Sequence, residues 1–306
     1  MVVGSLNIDL VITAERPPHK GETVLGTGFG LFPGGKGANQ AVQLARLGSE
    51  TYMVGRIGAD IFADQVVHSL QAAAVNTDYL ITDAGAGTGK GCVFSDAAGD
   101  NWIVVVPEAN TRWQTHDIEN AKELIQGARA LIVQLEIPLA VAARAVEFAC
   151  EANVLVVLNP APASDLPGGL LRKVDLLVPN ETEASILTGL SVVDVESARE
   201  AARRLQSKGD NTVTITLGSA GSVTATGEDI IHTPAFPVEV ADVTAAGDSF
   251  CACLAYAVTE SYDLETALRF ASAGAALAVT GLGAQPSLPT LDEINTFLDI
   301  RGDSRV

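Results

Sequence analysis

The rhythm of hydrophobic and polar positions changes part-way along the chain. Up to residue 106 the extended stretches alternate or are broken by glycine. Leu6-Asn7-Ile8-Asp9-Leu10 is apolar and polar by turns, so a strand there carries Asn7 and Asp9 on one face. That pair either meets adjacent hydroxyls of a sugar or forms a solvated strand face. A short apolar strand precedes it at 1–3, and a glycine-rich, bent extended piece follows at 23–32. The pattern predicts a helix over 38–47 stopped by Gly48, an amphipathic helix over 61–74 and a strand at 79–82. Strands at 91–95 and 102–106 are joined by the turn-rich Asp96-Ala97-Ala98-Gly99-Asp100. With 9–13 and 23–32 they predict a small sheet drawn from two places in the sequence.

From residue 117 continuous apolar runs alternate with helical patterns. Strands are expected at 130–135, 154–158, 175–178 and 213–217, and helices at 139–151, 197–208, 250–258, 264–279 and 291–298. Such runs indicate a mostly parallel sheet covered on both faces, a three-layer α/β/α arrangement. Nearly every strand ends in a polar or glycine cluster: Gln134-Leu135-Glu136, Asn159-Pro160-Ala161-Pro162, Pro179-Asn180-Glu181-Thr182-Glu183 and Thr216-Leu217-Gly218-Ser219-Ala220-Gly221. Ligands of open α/β sheets bind beyond the carboxyl ends of strands, so these clusters should share one crevice. The expected division is a large domain of 1–8, 34–87 and 107–306 and a small discontinuous one of 9–33 and 88–106.

With 47% hydrophobic residues in 306, the chain can bury a large core. Its net charge of −18, without a basic block, makes nucleic acid and anionic membranes poor partners. A polyanionic substrate would need local N–H groups, a lysine and a divalent cation. No apolar run approaches the ~20 residues that span a bilayer, and no signal peptide is recognisable, so a cytoplasmic location is expected. Cys92, Cys150, Cys251 and Cys253 form no zinc pattern and read as small core residues of a reduced protein. The four scattered histidines do not suggest a metal site, and Asn180-Glu181-Thr182 and Arg301-Gly302-Asp303 read as chance motif matches.

The chemistry is expected at Asp242-Val243-Thr244-Ala245-Ala246-Gly247-Asp248-Ser249-Phe250. Ala245, Ala246 and Gly247 are small residues before a buried helix, whose first-turn N–H groups and dipole make an anion site. Asp248 beside a phosphate makes sense as acceptor of a proton from an attacking hydroxyl. A Gly-Asp pair alone reads first as an ordinary helix start with Asp in the first turn, and the rest of the chain has to overturn that. Two nucleotide motifs fail. Gly30 to Lys36 fits the start of a Walker A loop, but Gly37 stands where Ser or Thr should be. The first strand leads to Gly4-Ser5-Leu6-Asn7 rather than to a dinucleotide-binding glycine fingerprint.

Taken in order, these stretches carry a resemblance that runs essentially end to end. Gly4-Ser5-Leu6-Asn7-Ile8-Asp9, Gly34-Gly35-Lys36-Gly37-Ala38-Asn39-Gln40-Ala41, the four strand-end clusters, the 242–250 stretch and Gly283-Ala284-Gln285-Pro286-Ser287 resemble the signatures of the ribokinase-like carbohydrate kinase family. The resemblance implies a ribokinase-like fold with a β-sheet lid that also forms a homodimer contact. It implies ATP-dependent phosphorylation of D-ribose at the 5-hydroxyl. Asn7, Asp9, Gly35, Asn39 and Glu136, with Lys36 nearby, would bind the sugar. Asp248 would be the base, and Ala245, Ala246 and Gly247 the anion hole. Asn180 and Glu183 would act through water on Mg2+ of the nucleotide, and Thr216, Gly218, Ser219, Gly221 and Ser272 would line its pocket. A K+ ion would be held by Asp242, Thr244, Ala278, Gly281, Gly283 and Ser287.

At a helix N-terminus the ionised carboxylate is favoured, so Asp248 should be a weak base; a loose phosphoryl-transfer transition state tolerates this. Four positions depart from the family pattern: Val243 before Thr244, Glu108 where glycine is usual, Cys253 where a smaller residue is usual, and a short first strand. A buried Glu108 would need a partner. Asn7, Asp9 and Glu136 favour a free sugar over a nucleoside, because the small domain carries little aromatic surface besides Phe29, Phe32 and Phe94. The alternatives are a kinase of deoxyribose, adenosine or pseudouridine, or a sugar-sensing regulator without catalysis.

Overall fold

Short apolar segments cannot bury themselves alone, and here they are stacked side by side. In the computed structural model, which describes residues 1–96, 101–209 and 211–302, a nine-stranded sheet forms the centre. From one edge its strands run Asp229–Thr233, Ser222–Thr226, Thr212–Thr216, Leu176–Leu177, Leu155–Leu158, Ala130–Val133, Val2–Val3, Tyr52–Gly58 and Asn76–Asp83. The last seven are parallel; the first two form an antiparallel edge hairpin. Val2 is in register with Met53 and Ile132, so the two-residue strand lies in the interior of the sheet.

Successive side chains of a strand point to opposite faces, and the core divides accordingly. Val2, Ile132, Val157 and Leu176 belong to one cluster with the helices Lys36–Arg46, Ala246–Thr259 and Leu264–Ala278. Val3, Leu131, Val133, Val156, Leu158 and Leu177 belong to the other, under the helices Leu139–Glu151 and Val195–Gly209. Both faces are dry, which is why these strands read as unbroken apolar runs. The expected α/β/α layering is present, as is a second, four-stranded sheet in the order Gly26–Gly34, Asn7–Ala14, Gly89–Ser95, Asn101–Val106.

Several expectations need correction. The strand Tyr52–Gly58 was not predicted, because Gly55, Arg56 and Gly58 break its apolar run. The edge hairpin and the helix Glu181–Thr188 were also missed. The first helix begins at Lys36 rather than at 38. Cys92 is exposed and Cys150 half-buried, so only Cys251 and Cys253 are core cysteines. Trp102 belongs with the small sheet's aromatic residues and packs edge-on against Phe94. In the turn expected at 96–100, residues 97–100 lie outside the described residues, as does Asp303. Among the described residues no helix is long and apolar enough to cross a membrane.

The helix Lys36–Arg46 sits close against the junction between the first strand and the small sheet. A Cβ on Gly37 would come 2.6 Å from the Ser5 nitrogen and 2.7 Å from the Gly4 carbonyl carbon, both backbone atoms that cannot rotate away. Gly37→Ala is therefore expected to lower unfolding free energy by roughly 1–3 kcal/mol, the usual range for overpacking, read from urea unfolding. An unchanged midpoint would mean that the helix is free to slide outward.

Candidate active site

All parallel strands deliver their carboxyl ends to one edge of the large sheet, and the strand-end clusters gather there. Gln134 follows Ala130–Val133, Asn159 follows Leu155–Leu158, and Asn180 pairs with Thr216 as an isolated parallel bridge. The helices Lys36–Arg46 and Ala246–Thr259 both begin at this edge, and their first turns meet around a carboxylate. Asp248, 6% exposed, accepts a hydrogen bond from Asn39 Nδ2 at 2.8 Å and another from Gln40 Nε2 at 3.0 Å.

The donors are oriented by what their other ends do. Gln40 Oε1 accepts from Gln134 Nε2 at 2.5 Å, and Gln40 Nε2 also reaches Asn159 Oδ1 at 3.3 Å. Asn159 Nδ2 in turn donates to the Val178 carbonyl at 2.8 Å. Side-chain amides from two strand ends, and a carbonyl from a third, thus fix the face that Asp248 presents. Asn39 Oδ1, by contrast, is buried without a partner. An unsatisfied buried acceptor of this kind costs about 1–3 kcal/mol until a donor arrives.

Beside Asp248 the helix Ala246–Thr259 has no side-chain cap, and Ala245 ahead of it is left-handed at φ 62°. First-turn amides of such a helix have no intrahelical acceptor. A Cβ on Gly247 would meet nothing within 4 Å, so the space over this turn is open. The combination is an anion cradle next to a carboxylate.

Asp9 lies on the strand Asn7–Ala14, opposite Phe32 on one side and Gly91 on the other. A Cβ on Gly91 or Gly34 would come 2.2 or 2.3 Å from an Asp9 carboxylate oxygen, so both glycines make room for it. Asn7, 4% exposed, is met in the same way by Gly89, whose Cβ would sit 2.1 Å from Asn7 Oδ1. Asn7 and Asp9 therefore share a face, as the alternation predicts. Burial, and then the charges of Glu136 and Asp248, push Asp9 up to about 7. Glu136 accepts from Ser5 Oγ at 2.5 Å and from the Lys36 backbone N–H at 3.2 Å. Burial alone would lower Lys36, but Asp248, Glu136 and Glu183 together outweigh it and raise its pKa.

Glu183 is 8% exposed, and burial raises its pKa. It closes a reciprocal cap with Asn180: its N–H donates to Asn180 Oδ1 at 2.8 Å, and Asn180 N–H donates to Glu183 Oε2 at 2.9 Å. The exposed turn Gly218–Ala220 is closed by Leu217 N–H on the Gly221 carbonyl at 2.8 Å. Gly221 is left-handed, and a Cβ there would lie 2.0 Å from the Thr233 carbonyl. Ser219 is on this turn; Ser272 is buried on the helix Leu264–Ala278, outside the hydrogen-bonded cluster.

A second loop pair stands beside the anion cradle. Asp242 Oδ1 accepts from Thr244 N–H at 2.9 Å and Thr244 Oγ1 at 2.6 Å, while Oδ2 accepts from Gly283 N–H at 3.0 Å. The Val279 carbonyl, next to Ala278, accepts from Ala241 N–H at 2.8 Å, and Gly281 packs on Ser287. Val243 is exposed and leaves these bonds undisturbed. Glu108 is only partly buried and finds Lys90 Nζ at 3.5 Å and the Gly87 N–H at 3.4 Å. Ser5, Gln40, Gln134 and Asn159 stand in stretches expected at the crevice but have no role of their own in the sequence reading, and Asn110 has no place in it. Their signal, polar residues with no exposed face to occupy, becomes visible only once burial is known.

A carboxylate beside an anion cradle, with hydroxyl-binding groups across from it, is what transfer of a phosphoryl group to an alcohol requires. The family model described as pfkB family carbohydrate kinase matches residues 1–291. The chain belongs to this family of carbohydrate kinases. Among named relatives, the kinase is 37% identical over 300 residues to the deoxyribokinase of Salmonella typhi, covering 98% of each chain. It is 39% identical over 297 residues to the ribokinase of Staphylococcus aureus, covering 96% of this chain and 98% of that one. Among solved structures, Arabidopsis thaliana ribokinase complexed with ribose and ATP superposes with a TM-score of 0.89 at 34% identity, covering 97% of each.

The free kinase should carry the mark of Asp9. Asp9 keeps its proton in the folded state up to about pH 7, whereas an unfolded chain releases it near pH 4. Folding thus takes up a proton between these values, and stability falls as pH rises through that window. Urea midpoints of wild type and Asp9→Asn at about pH 5 and about pH 8 should show wild type losing stability relative to the variant at the higher pH. Parallel behaviour of the two proteins would contradict the assignment.

Proposed function

We propose that this kinase transfers the γ-phosphoryl group of ATP to the 5-hydroxyl of D-ribose, with Asp248 as base. The observation that carries this reading is the buried Asp248 carboxylate beside the uncapped start of its own helix, within reach of the charges on Asp9 and Lys36. In this reading the 5-hydroxyl donates to Asp248 and attacks the γ-phosphorus as the bond to the ADP oxygen breaks. Its proton passes to Asp248 late in the transfer. Amides of the 245–248 turn, of Ala245, Ala246, Gly247 and Asp248, neutralise charge on the transferring oxygens, which with positioning supplies most of the acceleration.

Asn7, Asp9, Gly35, Lys36, Asn39 and Glu136 bind the sugar in this reading; the unpartnered Asn39 Oδ1 supports it, since a sugar hydroxyl satisfies it. Asn180, Glu183, Thr216, Gly218, Ser219, Gly221 and Ser272 bind ATP. Relatives crystallised with ATP or ADP are consistent with that nucleotide. Glu183 suits Mg2+ held through water, because its buried carboxylate gains from a nearby cation. Asp242, Thr244, Ala278, Gly281, Gly283 and Ser287 would hold K+ in this reading, which the tie that Asp242 makes between the two loops supports. Such an ion would supply positive charge beside the anion cradle.

The small sheet acts as a lid, with domain boundaries at 9–33 and 88–106 against 1–8, 34–87 and 107–306. Phe29, Trp102, Ile103 and Val104 are exposed on it, apolar surface that supports a homodimer through the lid. Ribose is favoured over deoxyribose because Asn7 and Asp9 form a pair of hydroxyl-binding groups on one strand face. A sugar lacking one hydroxyl leaves one of them unmet, at about 1–3 kcal/mol. The similarity to a deoxyribokinase keeps deoxyribose as the second reading.

Asp248→Asn is expected to lower kcat by at least ~10², the low end of general-base effects; near-normal turnover would remove Asp248 from that role. An ADP-release assay across ribose, deoxyribose, fructose, adenosine and pseudouridine, with and without K+ and Mg2+, should give ribose a kcat/KM roughly ten- to a hundred-fold above deoxyribose. Deoxyribose equalling ribose would overturn the substrate assignment, and no turnover on any sugar would favour a sensor.

A further inference from the structure

Asn110 lies in the single turn Glu108–Thr111 that follows the last strand of the small sheet, and it is 1% exposed. Every polar atom of its side chain is committed to Leu6 and Asn7, at the start of the strand that carries Asn7 and Asp9. Its Oδ1 accepts from Leu6 N–H at 2.9 Å, and its Nδ2 donates to the Leu6 carbonyl at 3.0 Å and to Asn7 Oδ1 at 2.8 Å. The side-chain amide pairs with Leu6 as a neighbouring strand would, at the break between Val2–Val3 and Asn7–Ala14. Space for this contact is made by Gly89, where a Cβ would lie 2.1 Å from Asn7 Oδ1 and 2.3 Å from Asn110 Nδ2.

The turn that carries Asn110 is itself anchored. Ala109 N–H donates to the Gly87 carbonyl at 3.1 Å, and Arg112 meets Asp83, which also holds Arg56. One buried amide therefore joins the chain where it enters the small sheet to the chain where it leaves. The bond also fixes an orientation: with Asn7 Oδ1 held by Asn110, the Asn7 amide cannot flip, and its Nδ2 group is turned away from Asn110.

We propose that Asn110 is a positioning residue that makes Asn7 a hydrogen-bond donor to the sugar, and so sets sugar affinity without touching sugar. This rests on the sugar-kinase reading of the crevice. A structural role alone would lower stability or kcat; a positioning role moves the sugar KM and does so only through Asn7.

The test is a double-mutant cycle on the full chain. Asn110→Ser deletes the donor to Asn7, and Asn110→Asp replaces it with an acceptor; a variant that fails to fold by urea unfolding leaves the other to decide. Each should raise the sugar KM about tenfold or more, the worth of one misdirected buried hydrogen bond. The nucleotide KM and kcat should stay within about threefold. In an Asn7→Ala background the same substitutions should change the sugar KM by less than about twofold. Equal effects in both backgrounds, or a rise in nucleotide KM alone, would overturn the proposal while leaving the kinase reading intact. Wild type that phosphorylates no sugar would overturn both.

Discussion

The crevice depends on one contact: a buried carboxylate at the start of one helix, clamped by two amides from the start of another. A charged group buried without donors costs several kcal/mol. Two hydrogen bonds to a charged group, each worth about 1.5–3 kcal/mol, offset this. They also tie Lys36–Arg46 to Ala246–Thr259, elements 208 residues apart at the Gln40 contact. Because Gln40 is held by Gln134 and Asn159, the carboxylate is oriented by the sheet edge itself rather than by a mobile loop.

Charge around that contact explains how an acidic chain presents an anion cradle. Glu136, Glu183 and Asp248 surround Lys36, Asp9 lies near two of these acids, and the chain as a whole carries −18. Local attraction for phosphate then comes from backbone N–H groups, which carry no counter-charge to be neutralised by neighbouring carboxylates. Glu136 and Asp248, which add to burial in raising Asp9, also raise Lys36. The space over Gly247, at the start of the helix Ala246–Thr259, is open.

Much of this was legible in the residues. Alternation at Leu6-Asn7-Ile8-Asp9-Leu10 placed two polar groups on one face because the period of a strand is independent of its partners. Small residues before an apolar run marked the start of Ala246–Thr259, although the helix extends beyond the run on both sides. The strand Tyr52–Gly58 stayed hidden because Arg56 interrupts it, and Arg56 is tolerated only through Asp83 and Asp117, 27 and 61 residues away. The hairpin Ser222–Thr226 and Asp229–Thr233 was hidden by threonine and serine, whose hydroxyls pair across strands, as Thr214 does with Thr224. Gln40 and Asn110 are polar residues whose meaning lies in partners a hundred or more positions distant. No local rule reaches them.

The most direct test is a crystal structure of the protein with ribose and a non-hydrolysable ATP analogue. The account predicts the sugar's CH₂OH oxygen within hydrogen-bonding distance of an Asp248 oxygen, and the terminal phosphoryl group seated on the amides of the 245–248 turn. A sugar bound with its CH₂OH pointing away from Asp248, or phosphates seated elsewhere than that turn, would contradict it.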